Sequence, residues 1–94
     1  MEKIELSWKE IFQIRKEVDK KLIYKYGTKK PTKKQFILEV IEYQGGSVSL
    51  KILSRIMHYK IHLLENWVLR LNAERKISIK GEYPDWILVK YKGE

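Results

Sequence analysis

Apolar residues recur at helical spacing over most of this chain, and the period shortens only near its end. Between Ser7 and Tyr26, Trp8, Ile11, Ile14, Val18 and Leu22 follow one another at three- and four-residue steps, which sets them on one face of a helix. Ser7 with Glu10 forms a capping box for its start, and Gly27 supplies a stop. Phe12, Ile23 and Tyr26 fall outside that narrow stripe, so the helix carries more apolar surface than one packing face needs. "GTKKPTKK" follows as a basic connector, because Gly27 and Pro31 break the period and nothing apolar lies between them. Thr32 with Gln35 opens a second helix whose inner side is Phe36, Ile37, Val40, Ile41 and Tyr43, and the glycine pair 45–46 ends it.

Val48 then sits in an extended link, "SVS", before Ser49 caps a short helix through Met57 with Ile52, Leu53 and Ile56 inward. The interruption "HYK" at 58–60 belongs to neither neighbouring stripe. A last helix is expected from about residue 60 to 75, with Ile61, Leu64, Val68 and Leu71 on its inner line. Its far side presents His62, Asn66, Leu69 and Ala73, with Arg70 slightly round the edge. Alternation in "KISIK", turn formers in "GEYPD" and the β-branched, aromatic "WILVKY" predict two strands joined by a five-residue loop.

Ninety-four residues bury one small core, and the three tryptophans, six tyrosines and two phenylalanines add more buried area than the length implies. The absence of cysteine excludes disulfides, thiolate metal sites and a cysteine nucleophile, and fits a cytoplasmic setting. "MEKIELSWKEIF" is too charged for a signal peptide, and no apolar run reaches the roughly 20 residues of a membrane span. Heavy use of Lys, Glu, Ile and Tyr leans toward a thermophile.

Charge changes the picture most. The net charge is +8, and residues 15–34 hold nine bases against two acids, Glu17 and Asp19. A second, weaker basic block spans 47–76. Clustered cations attract phosphates by counterion release, which makes double-stranded DNA the first partner to consider. Lys29, Lys30, Lys33 and Lys34, with Lys21 and Lys25, have no acid among them in sequence and can grip phosphates without reading bases.

Helix, short strand, helix, tight turn, helix and terminal hairpin is an order that resembles the winged helix-turn-helix superfamily, in particular its small archaeal DNA-binding regulators. Leu53, Met57, Tyr59, Leu64, Val68, Leu71 and Ile77 look like the apolar skeleton of that fold, and the resemblance covers about residues 32–91. It departs from the common pattern after the last helix, where Arg75 and Lys76 replace the usual glycine. The implied architecture is mainly α with a small β-hairpin: an N-terminal helix and connector at 1–31, then a winged-helix domain at 32–94. The resemblance implies a transcriptional regulator, nucleoid-associated, whose last helix enters the major groove. Asn66 would pair with adenine, Arg70 with guanine or phosphate, and Lys60 and His62 would lie near the helix start, with Lys80 and Tyr83 at the hairpin tip.

One short recognition helix rarely gives specificity alone, so a homodimer is expected, formed through Trp8, Ile11, Phe12, Ile14, Leu22, Ile23 and Tyr26. The competing reading takes Leu63, Trp67 and Leu69 as a surface for a protein partner, since winged-helix modules of replication, transcription and ESCRT-like assemblies resemble this order too. His58, His62 and Glu65 superficially suggest a metal, but "HYK" breaks the helix between the histidines and no further ligand completes a set. The carboxylates are interleaved with lysines at ion-pair spacing, and no phosphate loop or nucleophile motif occurs, so neither enzyme activity nor a cofactor is expected.

Overall fold

The capping chemistry legible in the chain sets the helix boundaries. In the computed structural model, which describes residues 7–27 and 32–91, Ser7 Oγ accepts from the Glu10 N–H and Glu10 Oε1 accepts from the Ser7 N–H. This box opens α1 (Trp8–Tyr26), and Gly27, at φ 64°, closes it by donating to the Ile23 carbonyl. Thr32 and Gln35 repeat the box at α2 (Lys33–Tyr43). The strand β1 (Ser47–Ser49) leads directly into α3 (Leu50–Met57), whose first turn is capped by Ser49 Oγ accepting from the Ile52 N–H. Then follow α4 (Ile61–Ala73), β2 (Ile77–Lys80) and β3 (Ile87–Lys90).

The chain is thus mainly helical with a small antiparallel sheet, and the sheet has three strands in the order β1–β3–β2. The extended link expected at "SVS" is its third strand. Val48 pairs with Leu88 on one side of β3 while Ile79 pairs with Leu88 on the other, so the fully buried Leu88 is the centre of the sheet's inner face.

Four helices and the sheet enclose one core. Val18 and Leu22 of α1, Ile37 and Ile41 of α2, Leu53 and Ile56 of α3, and Leu64, Val68 and Leu71 of α4 all belong to it, with Val48, Ile77 and Leu88 from the strands. Each such side chain contributes roughly 1.5–3 kcal/mol on burial, which is how a chain this short holds seven elements and a hairpin loop in place. The boundary expected at residue 31 therefore separates chain segments, not cores.

That packing corrects several expectations. Ile11, Ile14 and Leu22 are buried within their own fold, so they are not available to a second copy. Their stripe is filled by α2 and α3, the elements against which α1 packs. Tyr43, expected on the inner side of α2, is exposed in its last turn. The last helix stops at Ala73, and Trp86, expected in the second hairpin strand, belongs to the loop.

Candidate functional site

The "HYK" interruption is a helix stop followed at once by a helix start. His58 adopts φ 60°, its N–H donating to the Arg55 carbonyl and the Tyr59 N–H donating to the Ser54 carbonyl. Those two bonds are the Schellman pattern, built here on a non-glycine residue. Ser54 Oγ also donates to the Tyr59 carbonyl, which fixes the chain direction as it leaves α3. Lys60 is the N-cap of α4 and contributes no side-chain cap, although its carbonyl accepts from the Leu63 and Leu64 N–H groups.

The turn presents α4 with one face locked and the other open. Leu64, Val68 and Leu71 are fully buried, and His62, Asn66 and Arg70 are exposed together with Leu63, Leu69 and Ala73. Trp67 is not on the open face: it is half-buried and packs against the core, so of the three apolar residues considered for a protein partner only Leu63 and Leu69 stand free of it. The Arg70 guanidinium lies 5.9 Å from the centre of the Trp67 ring. A cation over an aromatic face at that distance is weakly held, which orients Arg70 along the helix without sequestering it.

The hairpin loop is tied down at two points. Lys51 Nζ on α3 meets Asp85 Oδ1 at 2.9 Å. Tyr83 stacks edge-on against Trp86, with ring centres 5.1 Å apart. Desolvation, then the charge of Glu65 on α4 and hydrogen bonding to it, push the Tyr83 phenol above its ordinary value. Tyr83 thus has a partner inside the protein, whereas Lys80 is exposed at the end of β2.

The basic block is less free than its sequence implies. Lys29 and Lys30 lie outside the described residues. Lys33 Nζ stands 5.1 Å over the Tyr59 ring, Lys34 Nζ bonds Glu74 Oε2 at 2.5 Å, and Lys25 Nζ bonds Glu39 Oε1 at 2.8 Å. No acid separates these lysines in the chain, but the fold brings acids to two of them from α2 and the end of α4.

In exchange, the fold gathers cations that the sequence leaves scattered. One open groove is lined by Arg15, Thr32, Lys33 and Tyr59, and a second by Arg55, His58, Lys60 and Tyr59. Tyr59 lines both, so Arg15 of α1, Lys33 of α2, Arg55 of α3 and Lys60 of the turn surround one aromatic residue at the start of α4. Arg15 and Arg55 were missed because they lie 40 positions apart in the chain. Their only sequence signal is position: each is a base that interrupts its helix's apolar pattern, Arg15 at the border of the α1 stripe and Arg55 opposite the buried side of α3.

Among the described residues there is no group of three side chains able to hold a metal ion, and no helix is long and apolar enough to cross a membrane. Comparison with models of protein families, with curated proteins and with solved structures gives no match.

Proposed function

We propose that this protein is a winged helix-turn-helix DNA-binding regulator that lays the open face of α4 in the major groove. The observation that carries this reading is the division of α4 by the tight turn at 58–60: Leu64, Val68 and Leu71 anchor one side while His62, Asn66 and Arg70 project from the other. A helix so held keeps its outer face at fixed height and orientation, and the protruding amide and guanidinium match the adenine and guanine edges of the groove. Phosphate contacts fall to the cations around Tyr59 and to the uncapped start of α4, where main-chain amides also favour an anion. Lys80 serves the hairpin's approach to the backbone, and Lys29 and Lys30 add to the non-specific attraction.

Binding to random-sequence duplex DNA across a salt series tests the reading. The affinity should fall linearly on a double-logarithmic plot, by about 0.9 per phosphate neutralised. Absence of binding at the lowest salt would defeat it.

A second reading rests on Leu63 and Leu69, which are 51% and 40% exposed on the same face. Two leucines flanking Asn66 make that face suitable for docking a protein, in an assembly of the replication, transcription or ESCRT-like kind. Replacing both with serine separates the readings: groove binding tolerates the change, whereas an apolar docking face does not.

A further inference from the structure

The outer flank of α1 carries a line of large side chains that the described residues cover only in part, Trp8 meeting the His58 ring at 6.4 Å between centres. Trp8, Phe12, Ile23 and Tyr26 are 58%, 64%, 47% and 51% exposed. They fall on one line of the helix: Trp8 and Tyr26 are separated by about five full turns, and Phe12 and Ile23 by about three. Asp19 stands on the same line, about three turns after Trp8 and two before Tyr26, with Arg15 and Lys16 on either side of it. Among the described residues none of these three charged groups forms an ion pair, although Arg15 and Asp19 sit at a spacing where helix pairs commonly form.

The line is symmetric under reversal. Turning α1 end for end about a point near Glu17 exchanges Trp8 with Tyr26, Phe12 with Ile23, and the bases Arg15 and Lys16 with the acid Asp19. Apolar ends meet apolar ends, and opposite charges meet at the centre.

We propose that this face is a self-complementary interface on which a second copy of the chain docks with its α1 antiparallel. A two-fold axis passing near Glu17 brings Phe12 of each copy to Ile23 of the other, Trp8 to Tyr26, and Asp19 to Arg15 and Lys16, each contact occurring twice as an isologous interface requires. A parallel pairing would instead stack Asp19 on Asp19 and Arg15 on Arg15. Four half-exposed side chains per copy make this a contact at the small end of stable interfaces, so association in the micromolar range is expected. The interface uses no residue of the α4 face, but Arg15 and Trp8 also line the grooves beside Tyr59, so the variants below are read by self-association and not by DNA binding.

The chain has no cysteine, so single-cysteine variants report the pairing directly. F12C and I23C, mixed and oxidised, should cross-link to each other, and neither should cross-link efficiently to itself. D19K should weaken self-association in sedimentation by about tenfold or more through like charges at the axis, and the triple change R15D, K16D and D19K should restore it. All these positions are exposed, so each variant retains the fold, which circular dichroism verifies. Efficient F12C–F12C cross-linking, or a strict monomer at high micromolar concentration, overturns the proposal. So does unchanged dimerisation of D19K.

Discussion

Lys34 Nζ lies 2.5 Å from Glu74 Oε2, joining the first turn of α2 to the residue that caps the end of α4. A lysine expected to meet phosphate therefore already has a counter-ion. Replacing Glu74 with glutamine releases it. The variant should bind random duplex DNA more tightly, with a salt dependence steeper by about one phosphate. Electrophoretic mobility or anisotropy titrations at two or more salt concentrations check this, and an unchanged slope would mean that Lys34 lies outside the DNA-facing surface.

The same pair, with Lys90–Glu42, shapes the acid limb of stability. Hydrogen bonds from Lys34 and Lys90 hold the Glu74 and Glu42 carboxyls below their ordinary value of 4.5. A group whose folded value is depressed contributes stability that is complete above the ordinary value and is lost as pH falls through the folded one. Both carboxylates are more than a third exposed, so solvent screens the pairs and the contribution is small. Denaturant melts from neutral pH into the acid range should show the E42Q/E74Q variant falling less steeply than the parent below about pH 4.5.

Lys25 and Glu39 differ in kind, because Glu39 is only 3% exposed. Removing the ammonium leaves a desolvated carboxylate without its partner. K25M should cost about 1–3 kcal/mol in equilibrium unfolding, while the double change with Glu39→Leu should recover most of that. The hydrogen bond to Glu39 raises the Lys25 value above 10.5, so the stability it contributes is present below that pH and lost as pH climbs through the folded value. A K25M variant as stable as the parent would show that solvent reaches Glu39 after all.

Arg75 closes α4 at φ 60°, its N–H donating to the Asn72 carbonyl while the Lys76 N–H donates to the Leu71 carbonyl. The motif that glycine usually serves is formed here on a residue with a Cβ. R75G removes that steric cost and gives back part of the gain as chain entropy, so thermal melts should show a net stabilisation of a few tenths to about 1 kcal/mol. A loss of stability would point to a packing role for the arginine stem.

What the sequence allowed one to read was local. Capping boxes at Ser7 and Thr32 and the stops at Gly27 and 45–46 use residues within four positions of one another, and the helix ends fall where those signals put them. Most of the inner line of α4 was equally legible: Leu64, Val68 and Leu71 are buried as their spacing requires, while Ile61 at the helix start is only partly buried. Partnerships across long stretches of chain were not. A single apolar residue, Val48, could not announce that "SVS" pairs with β3, and Lys34–Glu74 and Lys90–Glu42 join segments that only the fold brings together. Periodicity set Phe12, Ile23 and Tyr26 outside the apolar stripe of α1, and the fold leaves them open, but it put Trp8 on that stripe beside Ile11, Ile14 and Leu22, and of these four the fold leaves Trp8 exposed. The candidate site divided in the same way. His62, Asn66 and Arg70 were evident from α4 alone, and the cations around Tyr59 were not.

The central claim is that the open face of α4 reads base edges, and Asn66 and Arg70 decide it. Neither side chain belongs to the core, so N66A and R70A should unfold at nearly the parent's denaturant midpoint. On a site selected from a random duplex library, each should lose about 1–3 kcal/mol of binding free energy, with little change on unselected DNA. If both variants keep full affinity for the selected site, α4 does not read DNA and the account is contradicted.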